Sequence, residues 1–322
     1  MIKNSQINKR IGKITQVLST VLHHPIVWAP PQHISLEVTS FCNLRCPMCK
    51  LGQKKLGRDL GLMDFNKYTS LIDEVAPFIR RIGFPWYGEP FTRKDFGQFV
   101  KYASSKGMTV KIQTNGTLLY EHEIDYLVES NISLVNVAID GLDQKTYETY
   151  RVGGNLEKVT EGVKRLLKLR NERKSKYPER IQMSFIVFKH NEHELPYVEE
   201  FGKKLGVDCV KIKSAHVERN DEGVKYLPSN PEYSRYEDGL ALKSKRDKIS
   251  GCPNLWRSAV ISWDGTMGLC CFDYDCEYSP GNVFEEGFFK VWRGDKIQEL
   301  RHRALNDKEN ISLCKRCHKS HA

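Results

Sequence analysis

No stretch of this 322-residue chain is apolar over the roughly 18 residues that a membrane-spanning helix needs. A helical integral membrane protein is therefore excluded. The first residues hold no compact apolar segment followed by a small-residue cleavage site, which argues against an export signal and predicts a cytoplasmic chain. No G-x-G-x-x-G fingerprint occurs, so the usual sign of a nicotinamide or flavin fold is missing. Glycine and proline form no long biased tract, which excludes a collagen-like or low-complexity chain. Asp and Glu are absent from residues 1–33. Cysteine is scarce in the middle of the chain, where Cys209 stands alone between Cys49 and Cys252.

What is present is basic and cysteine-rich at both ends. Fifty Lys and Arg stand against 40 Asp and Glu, a net charge of +10. That excess points to an anionic partner such as a nucleotide, a phosphate or an acidic surface; a solvated basic surface gives the same figure. Ten cysteines without an export signal favour metal or redox chemistry over disulfides. The length predicts about two domains.

In residues 1–33, Ile7, Ile11, Ile14, Leu18 and Val21 or Leu22 recur at helical spacing, with Lys3, Lys9, Arg10 and Lys13 between them. Two readings follow. The helix caps the main domain, or residues 1–24 make a basic interfacial helix that rests on a membrane. Pro25, Pro30 and Pro31 end it. From 34 to 213 the pattern predicts strands over 34–38, 81–86, 108–113, 134–139, 181–188 and 209–213. Helices are predicted over 63–78, 95–106, 121–130, 156–174 and 194–205. This alternation predicts an α/β fold with a parallel sheet, whose ligand site lies at the C-terminal ends of the strands. Residues 214–250 read as a polar linker, and 251–322 as a small metal-stapled domain.

The first strand feeds into Cys42-Asn43-Leu44-Arg45-Cys46-Pro47-Met48-Cys49, a C-x3-C-x2-C loop. A structural zinc site wants four protein ligands, and the nearest further candidate, His33, precedes the strand. Three thiolates suit a [4Fe–4S] cluster with one open iron. The loop resembles that of the radical S-adenosylmethionine (SAM) superfamily, and the resemblance covers about 34–322. It implies a partial (β/α)6 barrel, a cluster on Cys42, Cys46 and Cys49, SAM on the open iron, and an electron donor such as flavodoxin or ferredoxin. It also implies reductive cleavage of SAM to a 5′-deoxyadenosyl radical that takes hydrogen from the substrate. Met48 stands where the family often has an aromatic residue. By the same resemblance, Gly88-Glu89-Pro90 matches the Gly-Gly-Glu-Pro motif with Tyr87 in place of its first glycine, and Glu89 accepts from the SAM ammonium. Thr114, Asn115 and Asp140 end strands where relatives contact SAM. Ala138 replaces a frequent serine, Arg151 pairs with the SAM carboxylate, and Phe185 and Val187 pack near adenine.

Cys252, Cys270, Cys314 and Cys317 resemble the twitch domain, a shortened SPASM domain, which implies one auxiliary [4Fe–4S] cluster; four thiolates also suit zinc. Cys271 and Cys276 read as a spare, a redox thiol or an alternative ligand, and Cys209 as a buried core thiol. Related dehydrogenases use the auxiliary cluster as electron acceptor. The resemblance therefore implies oxidation of a sugar, an aminocyclitol or a similar hydroxylated molecule. Lys213 and His216 are candidate bases, with Glu218, Asp273 and Asp275 as further ones. The alternatives are a peptide or protein maturase, a membrane-surface enzyme acting on a lipid or lipid-linked glycan, and a non-catalytic iron–sulfur carrier. No feature points to nucleic acid.

Overall fold

The computed structural model describes residues 5–84, 86–217, 221–234, 236, 252–315 and 317. Helix α1 (Ser5–Leu22) precedes strand β1 (His33–Leu36). There follow α2 (Phe65–Val75), β2 (Arg81–Phe84), α3 (Phe96–Ser105), β3 (Thr109–Thr114), α4 (Asp125–Glu129) and β4 (Ile132–Ala138). Next come α5 (Gln144–Tyr150), α6 (Leu156–Glu172), β5 (Ile181–Val187), α7 (Leu195–Leu205) and β6 (Cys209–Ser214). Strands β7 (Ser258–Ile261), β8 (Thr266–Gly268) and β9 (Gly281–Asn282) lie in the C-terminal part, with short helices after them.

All nine strands belong to one sheet, ordered β6-β5-β4-β3-β2-β1-β7-β8-β9. Strands β1 to β6 run parallel. Strand β7 also pairs parallel to β1, His33 opposite Ser258 and Leu36 opposite Ile261. Strand β8 turns back on it through Asp264 and Gly265. The C-terminal part thus extends the barrel sheet, and the sheet does not break near residue 251. Nothing local in the sequence signals this pairing, because it joins residues more than two hundred positions apart.

The core lies between one face of the sheet and the helices. Ile82, Phe84, Val110, Ile112, Val135, Val137 and Met183 pack there with Leu71, Val75, Phe99, Val163 and Val198. The opposite face of β1 to β6 lines one shared cavity, so the sheet curves around it. Two helices differ from expectation. The helix predicted over 121–130 is confined to α4. Helix α5 was not signalled; Asp143 starts it by accepting the N–H of Thr146, and Thr146, Tyr147 and Tyr150 are buried. The segment after β6 is also more than a linker where it is described. Ala215, Val217 and Tyr236 are buried against Leu44, Tyr150 and Phe188, and the Tyr236 hydroxyl bonds to Val217 through both its N–H and its carbonyl.

Helix α1 packs on the rest of the chain through its small polar face. Asn8, Thr15 and Ser19 are buried. Ser19 Oγ accepts from the N–H of Ile26 at 2.9 Å, and Asn8 donates to the carbonyl of Phe78 at 3.5 Å. Of the expected stripe, Ile7, Ile14, Val21 and Leu22 face outward, Ile14 at 55% and Val21 at 69% exposed, while Ile11 and Leu18 are half-buried; Val17, outside the stripe, is 60% exposed. Periodicity marks a stripe and leaves open which side meets the protein. On this geometry Val17→Asp changes stability by no more than about 0.5 kcal/mol. Ser19→Leu costs about 2 kcal/mol or more by overpacking and by stranding the Ile26 N–H. Urea unfolding of both variants checks this, and the reverse order would place the apolar stripe inside.

Candidate active site

The cysteine loop and the ends of β2 to β4 enclose a cavity of about 170 Å3. Its wall includes Cys42, Cys46, Cys49, Glu89, Thr114, Asn115, Ala138 and Arg151. Residues from three separate strand ends, the cysteine loop and the end of α5 therefore meet at one place.

Glu89 is the organising side chain. It is 2% exposed and carries no ion pair among the described residues. Its Oε1 accepts from Thr114 Oγ1 at 2.7 Å and from the N–H of Phe91 at 3.2 Å; Oε2 accepts from the N–H of Asn115 at 2.7 Å. Burial pushes its pKa up to about 7, against the pull of those three donors. An ionised carboxylate offers about four acceptor sites, so one site on Oε2 is left for a further donor. Gly88 lets the chain reach this position. Its φ is +74°, and a Cβ there would lie 1.9 Å from the carbonyl oxygen of Thr39.

Asn115 carries the frame into the cysteine loop, donating to Asn43 Oδ1 at 2.9 Å and towards Cys42 Sγ at 3.9 Å. Arg151 sits on the other side. Its Nε and Nη2 donate to Asp140 Oδ2 at 2.7 and 2.6 Å, and its Nη1 points at Cys46 Sγ at 3.7 Å. Asp140 Oδ1 in turn accepts from the N–H of Ile186 at 2.6 Å. Ala138 reaches the cavity wall although it has no side-chain hydroxyl. Burial pushes the Cys42 thiol up to about 12 and raises that of Cys46. Loading such thiols with metal releases protons. N–H donors and a guanidinium aimed at the sulfurs suit the negative charge of a thiolate-ligated cluster, and so the residues present fit one.

Other expected contacts fall differently. Phe185 and Val187 are fully buried in the core behind the sheet and do not line this cavity. Strand alternation turns Ile186 the other way, where it, like Met48, packs against the cluster that holds Leu44 and Cys46. Lys213 lines the neighbouring cavity within the barrel. The His216 ring lies 4.9 Å from that of Phe272. Asp273 is buried and accepts the N–H groups of Leu269, Glu277 and Tyr278, so it shapes the Cys270 loop. Asp275 is held by Lys50 Nζ at 2.6 Å and by the N–H of Gly57 at 2.8 Å. Burial opposes its charge, but these bonds keep its pKa below the usual carboxylate value. Glu218 lies outside the described residues. Cys209 is half-buried, with its Sγ 3.5 Å from Gln182 Oε1, and is no fully enclosed core thiol.

The second cysteine group is close by. Cys252, Cys270 and Cys314 pack against one apolar cluster that includes Leu255, Trp256 and Ile311. Cys317 and Cys271 lie near enough to Cys252 and Cys270 for their charges to raise both thiols, although burial is the larger cause. Cys276 is set apart; burial raises it to about 12, and the charge of Arg58 pulls it down. None of the ten cysteines forms a disulfide. The two groups share a wall. Trp86 lines the front cavity, and its indole N–H donates to the carbonyl of Cys271 at 3.2 Å. The Tyr87 ring, also on that cavity, lies 4.5 Å from Tyr274.

Sequence reasoning missed Arg58, which ties these parts together. It pairs with buried Glu37 at 2.7 Å, donates to Ser262 Oγ at 3.0 Å and to the carbonyl of Tyr274 at 2.6 Å, and lies over the Trp86 ring. A lone arginine in a polar loop carries no local signal of such a role.

Comparison with known proteins fits this arrangement. Residues 36–201 match the radical SAM superfamily, and residues 252–318 match SPASM, an iron–sulfur cluster-binding domain. The chain belongs to the radical SAM superfamily. As a radical SAM enzyme it uses SAM and a [4Fe–4S] cluster, with auxiliary cluster binding in its SPASM region. It is 28% identical over 300 residues to the tungsten-containing aldehyde ferredoxin oxidoreductase cofactor-modifying protein of Pyrococcus furiosus, over 84% of this chain and 83% of that one. Among solved structures it resembles SuiB of Streptococcus suis bound to S-adenosylmethionine, with a TM-score of 0.67 and 13% identity over 94% of this chain and 75% of that one. It also resembles BtrN in complex with AdoMet and 2-DOIA, with a TM-score of 0.54 and 19% identity over 91% of this chain and 97% of that one. At these identities the two structures speak to the fold.

The radical SAM frame gives a direct test. Glu89→Gln replaces an acceptor by an amide whose NH2 opposes the donors around it, and lowers stability by about 1–3 kcal/mol. Gly88→Ala does the same through the Thr39 clash. Thermal melting that leaves both variants at the wild-type midpoint would contradict the arrangement.

Proposed function

We propose that the enzyme oxidises a small hydroxylated substrate, such as a sugar or an aminocyclitol. Cys42, Cys46 and Cys49 hold the SAM-binding cluster, and Cys252, Cys270, Cys314 and Cys317 hold one auxiliary [4Fe–4S] cluster. When bound, these groups supply the redox chemistry: one-electron cleavage of SAM at the front and acceptance of the substrate's second electron at the back. The protein supplies the placement. The open site on Glu89 Oε2 receives the SAM ammonium, held by Thr114 and Asn115 at the right depth. Arg151, fixed by Asp140, sets positive charge beside Cys46 for the SAM carboxylate. Ile186 takes the adenine-side packing first assigned to Phe185 and Val187.

The observation that supports this reading is the Trp86 hydrogen bond to the carbonyl of Cys271, next to Cys270, from a residue that also lines the front cavity. The barrel cavity of about 360 Å3 is the size of a small-molecule pocket and is lined by Gln113, Asn136 and Gln182, which suit hydroxyl groups. That size favours a small molecule over a peptide. The test incubates reduced, reconstituted enzyme with SAM and a panel of sugars, aminocyclitols and peptides. Expected are 5′-deoxyadenosine and an oxidised small molecule. In Cys270→Ser, iron falls from about eight to about four per chain, 5′-deoxyadenosine still forms, and oxidised product is lost. Undiminished product from that variant would exclude the auxiliary thiols from the electron path, and a modified peptide would replace the small-molecule reading.

A second reading concerns location. The outward stripe of α1, with Ile14, Val17 and Val21 beside exposed Lys9, Arg10 and Lys13, suits an anionic membrane surface. Among the described residues no helix is long and apolar enough to cross a membrane, so the contact is peripheral. The enzyme is expected to float with anionic vesicles and not with neutral ones, and to lose this when Ile14, Val17 and Val21 become Asp. Equal flotation of wild type and variant would remove the reading.

A further inference from the structure

The inner face of the barrel sheet carries charge that the chemistry above does not use. Arg81 on β2, Lys111 on β3, and Lys211 and Lys213 on β6 line the 360 Å3 cavity, and no carboxylate among the described residues lines it with them. The side chains of Arg81, Lys111 and Lys211 are exposed to this space, and they make no ion pair or side-chain hydrogen bond among the described residues. Elsewhere Arg58 pairs with Glu37 and Arg170 with Asp208.

Clustered like charges in a half-enclosed space repel one another. Burial first, and then the charges of Arg81, Arg180 and Lys211, lower the pKa of Lys111. An anion in the lumen would relieve that repulsion. The lumen also borders the SAM cavity. Gln113 lines both, and the next two residues, Thr114 and Asn115, hold Glu89. A molecule anchored by its anionic end among the four cations would extend its other end past Gln113 towards the cysteine loop.

We propose that the lumen binds the anionic group of the substrate, and that the substrate is a small molecule carrying a phosphate or clustered carboxylates. This rests on the reaction proposed above and narrows it to anionic substrates. Asn136 and Gln182 supply neutral donors beside the cations, as a charged group with hydroxyl or carbonyl neighbours requires.

Calorimetric titration of the reconstituted holoenzyme with inorganic pyrophosphate, and separately with citrate, tests the site near physiological salt, where diffuse attraction is screened. At least one anion is expected to bind once per chain. Pyrophosphate alone identifies a phosphate site, and citrate alone a carboxylate site. The Lys111→Gln, Lys211→Gln double variant weakens that binding at least roughly ten-fold. A Lys164→Gln, Lys168→Gln double variant on exposed α6 removes the same charge and leaves binding unchanged. No saturable binding of either anion to wild type, or equal weakening by the two double variants, overturns the site. Formation of 5′-deoxyadenosine is followed in the same samples. Anion binding without SAM cleavage contradicts the reaction and spares the lumen site, whereas cleavage without anion binding contradicts the lumen site and spares the reaction.

Discussion

One buried carboxylate fixes the geometry on which the site depends. Glu89 has lost its water, and no cation bonds to it among the described residues. Its charge rests on one hydroxyl and two backbone N–H groups. Leaving any of them unpaired at such depth costs free energy, so the ends of β2 and β3 are held in register by the same bonds that hold the charge. Asn115 then passes the constraint to Asn43 and Cys42, and the N–H of Glu89 passes it to the carbonyl of Phe41. The cysteine loop is therefore placed by the strand ends and does not float beside them.

The second constraint is that the sheet is continuous. Because β7 pairs with β1, the loop carrying Cys270 and Cys271 starts one hairpin away from the strand that leads into Cys42. Arg58, Trp86 and Tyr87 fill the space between. A SAM-binding front group and an auxiliary group that share aromatic walls make sense of a chain with no dinucleotide fold. The polar inner face completes the division of labour: apolar packing behind the sheet, chemistry at its strand ends, recognition within the curve.

Much of this was legible in the sequence where the signal is local. The C-x3-C-x2-C loop, the Gly-Glu-Pro turn, and the Thr114-Asn115 and Asp140 strand ends follow one another in chain order; the first three line one cavity, and Asp140 bonds to Arg151 in its wall. What escaped was non-local or two-valued. The apolar period of α1 does not say which face meets the protein, and here Thr15 and Ser19 do. Alternation on β5 makes Phe185 and Ile186 face opposite ways, and Phe185 and Val187 lie in the core behind the sheet. The alternation of Lys111 with Gln113, and of Lys211 with Lys213, reads as a solvent face; only the curvature of the sheet turns it into a lumen. The partners of Asp275, Lys50 and the N–H of Gly57, arrive from a distant segment, whereas Asp273 is held by N–H groups four and five positions away.

The three-thiolate cluster site at the front loop is checked by electron paramagnetic resonance of the reduced, anaerobically purified enzyme, with and without SAM. Two [4Fe–4S] signals are expected, of which SAM perturbs one, and Cys42→Ala abolishes the responsive signal alone. Stoichiometric zinc in the front loop, or cluster signals indifferent to SAM, would contradict it.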